Sequence, residues 1–436
     1  VSRVADLGAA SLPVAVRTLG CKVNRAESEA IAAQLLGAGV RIAEEDEAAV
    51  VVINTCTVTG EADAKARKAV RHALGAEHRP LVVVTGCLAA LEREALAGLG
   101  ERVIVEADKA RVSRVVEELL GVEASHGGDT VPALPRAGDS RFRTRAALKI
   151  EDGCDNYCTY CIVPYARGVP RATPLAEVVA QAGALVASGT REIVLTGINI
   201  GRYLDRESGA QLADVLQEVA QSGVARIRLS SVEPLDLTPR LLEVMAATPA
   251  FCAHLHVPLQ SGSDAILSAM GRRYTRDEFS ACIAAARRAL PGLVVTTDVL
   301  AGFPGETEAH AAETLAFCRE IGFGKLHVFR YSPRPGTSAA ARIDQVAPEA
   351  KTARAAALRA LSTEAVAEHE RARIGAIASV LVERIVAADD GTALAEGTTD
   401  DYLRVCLPPE ATQAGELVSV ELLGVDGGRV LGRLAD

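Results

Sequence analysis

Six of the ten cysteines in this 436-residue chain stand where thiols can do chemistry. Cys154-Asp155-Asn156-Tyr157-Cys158-Thr159-Tyr160-Cys161 places three of them at C-x3-C-x2-C spacing, directly after Lys149-Ile150-Glu151-Asp152-Gly153. Three thiolates this close can bind three irons of a four-iron cluster and leave the fourth iron open. An open position is a reaction site, by the logic that separates catalytic metals from closed structural ones. A zinc site short of one ligand, or three unrelated core thiols, would use the same spacing. Cys252, Cys282, Cys318 and Cys406 fit no triplet and read as inert thiols.

The elements around these residues decide where the thiols point. In the N-terminal third, residues 14–19, 49–54 and 81–85 read as strands, with helices expected over 27–38, around 65–71 and over 90–97. The run 49–54 is continuously apolar, as a buried parallel strand should be. Cys21, Cys56 and Cys87 each fall at or just beyond a strand end. An open parallel sheet gathers its ligands at the carboxyl ends of its strands. The three thiols are therefore expected to converge and to form a second cluster site with one open iron. Three buried, inert cysteines are the alternative.

From 146 onward strands at 147–150, 192–196, 226–230, 254–257, 294–299 and 325–329 alternate with helical stretches. Six such repeats predict a parallel α/β barrel or partial barrel, with catalytic groups on the loops after the strands. The Cys154–Cys161 loop follows its strand as that rule requires. Thr196-Gly197, Ser231-Val232-Glu233 and Gln260-Ser261 close three further strands, and 329–337, with Tyr331 and Arg334, closes the sixth and borders the expected substrate opening. His254 and His256 read as structural. Residues 374–436 hold five short strands, which predict a small β-barrel. The fold class is thus α/β, with expected units at 12–123, 146–373 and 374–436 and a linker at 124–145. Arg136, Arg141, Arg143, Arg145 and Lys149 make the end of that linker basic, either a solvated run or a phosphate-contacting edge.

Composition narrows the setting. Hydrophobic residues are 49% and charged residues 24%, a globular balance. No apolar run is long enough to cross a bilayer, and no signal-peptide pattern opens the chain, so a cytoplasmic location is expected. There the cysteines stay reduced and free for metal. A net charge of −9 argues against bulk nucleic-acid binding but leaves room for local basic patches. With no Trp and 3% aromatics, an extensive base-stacking platform is not expected.

Leu19-Gly20-Cys21-Lys22-Val23-Asn24 with Glu27-Ser28, then Asn54-Thr55-Cys56-Thr57-Val58-Thr59 and Thr85-Gly86-Cys87, resemble the N-terminal domain of the radical S-adenosylmethionine (SAM) methylthiotransferases. The C-x3-C-x2-C triad, with an aromatic before its last cysteine, resembles the radical SAM superfamily as a whole. The resemblance covers nearly the entire chain. The Cys-Lys-Val-Asn form is most similar to the MtaB type, which acts on threonylcarbamoyladenosine beside the tRNA anticodon. It implies a central partial (β/α)6 barrel and a C-terminal barrel like the RNA-binding TRAM domain. It also implies two 4Fe-4S clusters, on Cys154, Cys158 and Cys161 and on Cys21, Cys56 and Cys87, with SAM on the open iron of the first. Tyr160 matches the position that contacts the SAM adenine, and Thr196-Gly197 resembles the motif that holds the SAM amino group. Ser231, Glu233 and Gln260 lie where they could reach the same ligand, while Gly302-Phe303-Pro304-Gly305-Glu306-Thr307 looks like a family turn. The C-terminal copy departs from a strongly basic face: Asp389, Asp390, Asp400, Asp401 and Glu410 are acidic, against a cluster of Arg371, Arg373 and Arg384. A domain brace is therefore its competing role.

The expected activity is transfer of a methylthio group to C2 of N6-threonylcarbamoyladenosine in the tRNA anticodon loop, where an unpaired base can be presented. That carbon bears an unreactive C–H bond, which calls for cofactor radical chemistry rather than side-chain acid or base. An external electron donor and sulfur source are implied. Thiomethylation of another tRNA adenosine or of a ribosomal protein side chain is the alternative within the enzyme class. An iron–sulfur RNA-binding scaffold is the alternative outside it.

Overall fold

The computed structural model describes residues 12–122, 144–387, 391, 393–409 and 412–435. The expected linker lies outside the described residues except at 144–145, as do Asp389, Asp390 and Glu410. The N-terminal sheet holds four parallel strands in chain order: β1 (Val14–Thr18), β2 (Val50–Thr55), β3 (Leu81–Gly86) and β4 (Val103–Val105). Helices cover both faces. Alternate residues of β2 therefore enter two separate cores, Val51 and Ile53 in one and Val50 and Val52 in the other, which explains its unbroken apolar run. The first helix begins at Lys22, earlier than the sequence pattern suggests, with Cys21 at its N-cap. Buried Asn24, Glu27 and Ser28 break the apolar period there. The helix expected over 90–97 is two short ones, Cys87–Leu91 and Arg93–Ala97, parted where Glu92 leaves helical backbone space.

In the central unit β5 (Arg145–Lys149), β6 (Glu192–Thr196) and β7 (Arg226–Leu229) form one parallel sheet. A second holds β8 (His254–His256), β9 (Val294–Ala301) and β10 (Lys325–Arg330). Parallel bridges Ile227–Phe251 and Ser231–His256 join the two into a partial barrel. The period of two sends Ile193, Leu195, Ile227, Leu229, Leu255 and Val295 into the helix-covered core. It leaves Glu192, Arg226, Arg228, His254, His256, Thr296 and Asp298 on the opposite, inner face, where they satisfy one another. Arg228 Nε donates to Glu192 Oε1 at 2.6 Å. His254 Nε2 and His256 Nδ1 lie 3.1 and 2.9 Å from Thr296 Oγ1, and His256 Nε2 lies 3.2 Å from Asp298. These two histidines, without partners in the sequence reading, have them in the fold.

The helix Pro348–Ala372 leads to a closed barrel of β11 (Ile377–Ala387), β12 (Ala393–Thr399), β13 (Arg404–Leu407), β14 (Leu417–Asp426) and β15 (Arg429–Leu434). This barrel caps the amino ends of the central strands. Arg226 donates to the carbonyls of Ser379 and Thr398, and Arg228 to those of Thr399 and Asp400. Tyr402, at φ +70°, sets its ring 4.0 Å from the Arg228 guanidinium and 4.4 Å from the His254 ring. Lys22 of the N-terminal unit reaches to 5.7 Å of the same ring. Two of the three arginines read as a basic cluster are engaged internally, Arg373 with Asp401 at 2.9 Å and Arg384 with Glu396 at 2.8 Å. Asp401 is buried rather than displayed. These contacts join the C-terminal barrel to the central one. Among the described residues no helix is long and apolar enough to cross a membrane.

The N-terminal unit spans the open side of the partial barrel and holds both of its edges. On the β5 edge Lys149 meets Glu27 at 2.8 Å. On the β10 edge Arg334, expected to border the opening, is instead buried; it donates to Asp63 at 2.6 Å and to Thr57 at 2.8 Å. Gly60 N donates to Ser332 Oγ nearby.

Candidate active site

The N-terminal thiols are gathered by buried amides. Asn24 Nδ2 donates to the carbonyls of Leu19 and Thr55 at 3.0 and 2.8 Å. Asn54 Nδ2 returns a bond to Asn24 O at 2.8 Å, and Thr55 Oγ1 reaches Thr85 O at 2.6 Å. These bonds tie together the loops that carry Cys21, Cys56 and Cys87. Gly20, at φ +110°, lets the backbone before Cys21 run against Cys56: a Cβ there would sit 2.6 Å from Cys56 Cβ. Cys21 and Cys87 are both near enough to raise the Cys56 thiol, and burial is the larger cause that pushes it up to about 11.

The second triad is held by its own loop. Cys154 N donates to Gly168 O and Cys161 N to Cys158 O, each at 2.9 Å. Thr159 fastens the loop to the turn after residues 264–269, its N to Met270 O and its Oγ1 to Ala269 O. Burial pushes the Cys154 thiol to about 11 and the Cys161 thiol to about 12, and the neighbouring thiols add to both shifts. Arg272 offers a positive counterpart: Nη1 lies 3.5 Å from Cys158 Sγ, while Nη2 holds Glu233 and Nε bonds Tyr274 Oη. Tyr160 packs beside Phe303, Tyr331 and Met270. Among the described residues no three His, Cys, Asp or Glu groups converge tightly enough for a single metal ion. A four-iron cube does not ask for that convergence, because each thiolate binds its own iron. Cys252 and Cys318 are buried apart from both triads, with thiols pushed up to about 12.

The carboxyl ends of β5–β7 carry unspent polarity. Glu151 Oε1, Thr196 Oγ1, Ser230 Oγ and both amide atoms of Asn199 are buried without a protein partner. Buried polar groups are ordinarily paired, so the set fits a ligand with both donors and acceptors, such as the amino-acid end of SAM. Gly197 lies within this group. A Cβ there would come within 2.7 Å of Ile200 Cγ2 and 2.8 Å of Glu151 Oε2, so the glycine is required by the approach of Glu151. Glu151 Oε2 accepts from Asn199 N at 2.8 Å, and burial holds its carboxyl up at about 7. Ser231 forms the bridge to His256, and Glu233 lies against Arg272 near Cys158. Gln260, at φ +67°, is bridged to Val299.

Sequence reading missed Glu151, Asn199, Arg272 and, above all, Arg167. The guanidinium of Arg167 donates to Glu27 and Asn24 across the interface and lies 3.2 Å from Cys87 Sγ. No local pattern announces such a residue, since Glu27 is 140 positions away.

A cleft of about 880 Å³ opens between the N-terminal sheet and the end of β10. Cys21 and Cys56 line one wall and Phe329 to Pro333 the other. Its charged lining is Lys65, Arg330, Lys351 and Arg359 against Glu61 alone.

Comparison with known proteins agrees with this architecture. Residues 148–318 match the radical SAM superfamily and residues 13–105 match uncharacterized protein family UPF0004. The chain is 38% identical to the threonylcarbamoyladenosine tRNA methylthiotransferase MtaB of Bacillus subtilis, over 94% of this chain and 93% of that one. It is 32% identical to a tRNA-2-methylthio-N(6)-dimethylallyladenosine synthase of Geobacter metallireducens, over 96% and 98%. Among solved structures, the radical SAM methyltransferase TsrM from Kitasatospora setae shares the fold, with a TM-score of 0.53 at 16% identity over 76% of this chain and 75% of that one. By full-length similarity to its curated relatives and by its matching central barrel, the chain belongs to the radical SAM tRNA methylthiotransferases.

Proposed function

We propose that this enzyme adds a methylthio group to C2 of N6-threonylcarbamoyladenosine next to the tRNA anticodon. The observation that carries the reading is the cleft: one wall presents Cys21 and Cys56, and its charged lining is four cations against one carboxylate. That lining suits an RNA backbone despite the net charge of −9, and the volume suits a nucleoside. The choice of threonylcarbamoyladenosine over dimethylallyladenosine rests on the Cys21-Lys22-Val23-Asn24 form and on the Bacillus subtilis relative, 38% identical over 94% of this chain, where a dimethylallyladenosine synthase of Sorangium cellulosum reaches the same identity over 84%. An RNA substrate also places the enzyme in the cytoplasm.

Cys154, Cys158 and Cys161 are assigned to hold one 4Fe-4S cluster, and Cys21, Cys56 and Cys87 a second. With SAM, these groups supply the hydrogen abstraction that frees the C2 position and the methylated sulfur placed there. The chain's own residues position the reactants. Glu151 and Asn199, with the Gly197 backbone, receive the amino-acid end of SAM. Tyr160, with its ring packed against Phe303 and Met270, offers a flat apolar face to the adenine. Ser231, Glu233 and Gln260 stand at the same strand ends for the remaining polar groups of SAM. Lys65, Lys351 and Arg359 hold phosphates at the cleft and orient the anticodon loop. The electron donor and the sulfur source are external.

Nucleoside mass spectrometry of tRNA from a deletion strain tests the substrate. Loss of 2-methylthio-threonylcarbamoyladenosine is expected, with 2-methylthio-dimethylallyladenosine unaffected. Retention of the first modification would refute the assignment.

A further inference from the structure

Arg167 closes the short helix Val163–Arg167 that follows Cys161, yet its side chain, only 2% exposed, reaches into the N-terminal unit. An arginine has five N–H donors, and all of them are used. Nε donates to Cys87 Sγ at 3.2 Å. Nη1 donates to Glu27 Oε1 and Asp152 Oδ1, both at 2.8 Å. Nη2 donates to Asn24 Oδ1 at 2.7 Å and Glu27 Oε2 at 3.3 Å. Asn24 is the amide that ties the loops of Cys21 and Cys56, and Gly168, the next residue after Arg167, accepts the Cys154 amide. One side chain thus touches the framework of both thiol triads.

Charge points the same way. Lys109 and Lys149 also meet Glu27, at 2.9 and 2.8 Å, and Lys149 meets Asp152 at 2.7 Å. Three cations therefore share two carboxylates where the N-terminal unit meets the barrel. Cys87 Sγ is the remaining acceptor in contact with the Arg167 guanidinium. The oxygen acceptors take only the Nη1 and Nη2 donors, and Cys87 Sγ is what satisfies the buried Nε–H.

We propose that Arg167 is a positioning residue for the second cluster, which fixes the Cys87 sulfur relative to the Cys154–Cys161 loop and raises the reduction potential of the cluster bound there. The inference rests on the reading of Cys21, Cys56 and Cys87 as a cluster triad. A donor to a ligand sulfur withdraws electron density from the iron and stabilises the reduced form, one of the protein's levers on cluster potential.

The test uses the full chain with Cys154, Cys158 and Cys161 changed to Ala, so that only the second triad remains. After anaerobic iron–sulfide reconstitution, the potential is followed by electron paramagnetic resonance during redox titration. R167K and R167Q in this background should both shift the potential downward, and R167Q further, because it loses the charge as well as the directed donor. Should R167Q fail to fold by circular dichroism, R167K decides, since it keeps a cation beside Glu27 and Asp152. Bound iron with an unmoved potential in R167K overturns the inference alone. A parent protein that binds no iron at all overturns the second-cluster reading and the inference with it.

Discussion

A thiol buried beside other thiols resists ionisation, and in both triads burial and mutual repulsion act together. Cys56 and Cys154 are pushed to about 11 and Cys161 to about 12. Iron binding must therefore displace protons, and the protein offsets that cost with fixed donors: backbone N–H groups, Arg272 at Cys158 and Arg167 at Cys87. Geometry at this scale is equally strict. Gly20 carries a left-handed φ, and a side chain there would strike Cys56. Gly20→Ala is expected to cost about 1–2 kcal/mol in backbone strain alone and to displace Cys56. Iron content after reconstitution should fall from about eight to about four per chain, counting four per cluster, with SAM cleavage retained. A variant that still holds the full complement would show that the close approach of Gly20 to Cys56 does not matter.

At the scale of elements, the strand–loop–helix repeat delivers each cysteine to a strand end, and the interface elements then decide where those ends face. The N-terminal unit is clamped on one barrel edge through Glu27 and on the other through Asp63. Arg334 and Asp63 form a buried pair at 2.6 Å, with Thr57, next to Cys56, as a further acceptor. Removing one partner of a buried pair strands the other and costs roughly 3–5 kcal/mol. Arg334→Met should lower thermal stability by about that amount. Hydrogen exchange should show the loop around Cys56 opening first, because Thr57 loses its donor in the same step. Unchanged protection in that loop would mean that the β10 edge does not position it.

Across the whole molecule, two interfaces hold three units, and both depend on carboxylates kept ionised. Burial opposes ionisation of Glu27, but Arg167, Lys109 and Lys149 outweigh it and hold its carboxyl down at about 2. Asp401, facing His369 and Arg373, is likewise held at about 2 against its own burial. A carboxyl whose folded value is depressed contributes stability that is fully present above its ordinary range near 4 and is lost as pH falls through 2. For Glu27 this amounts to on the order of 3 kcal/mol. Acid titration between pH 4.5 and 2 should therefore release the N-terminal and C-terminal units from the barrel before the barrel's apolar core melts. Small-angle scattering would detect the expansion, and Glu27→Gln should move it to higher pH. The sequence by itself determined the elements and the candidate thiols, because strand and helix periods, and a spacing such as C-x3-C-x2-C, are local properties. It left out Arg167, Arg272, Glu151 and the buried place of Arg334, because a buried charge is defined by partners remote in the chain. It read Asp401 and Arg373 as surface charge when each neutralises the other. Only the tertiary structure decided that the N-terminal sheet closes the open side of the barrel and that the C-terminal barrel caps its amino ends. The physical reason is that burying paired charges requires acceptors from separate units, and no local pattern encodes which units will meet.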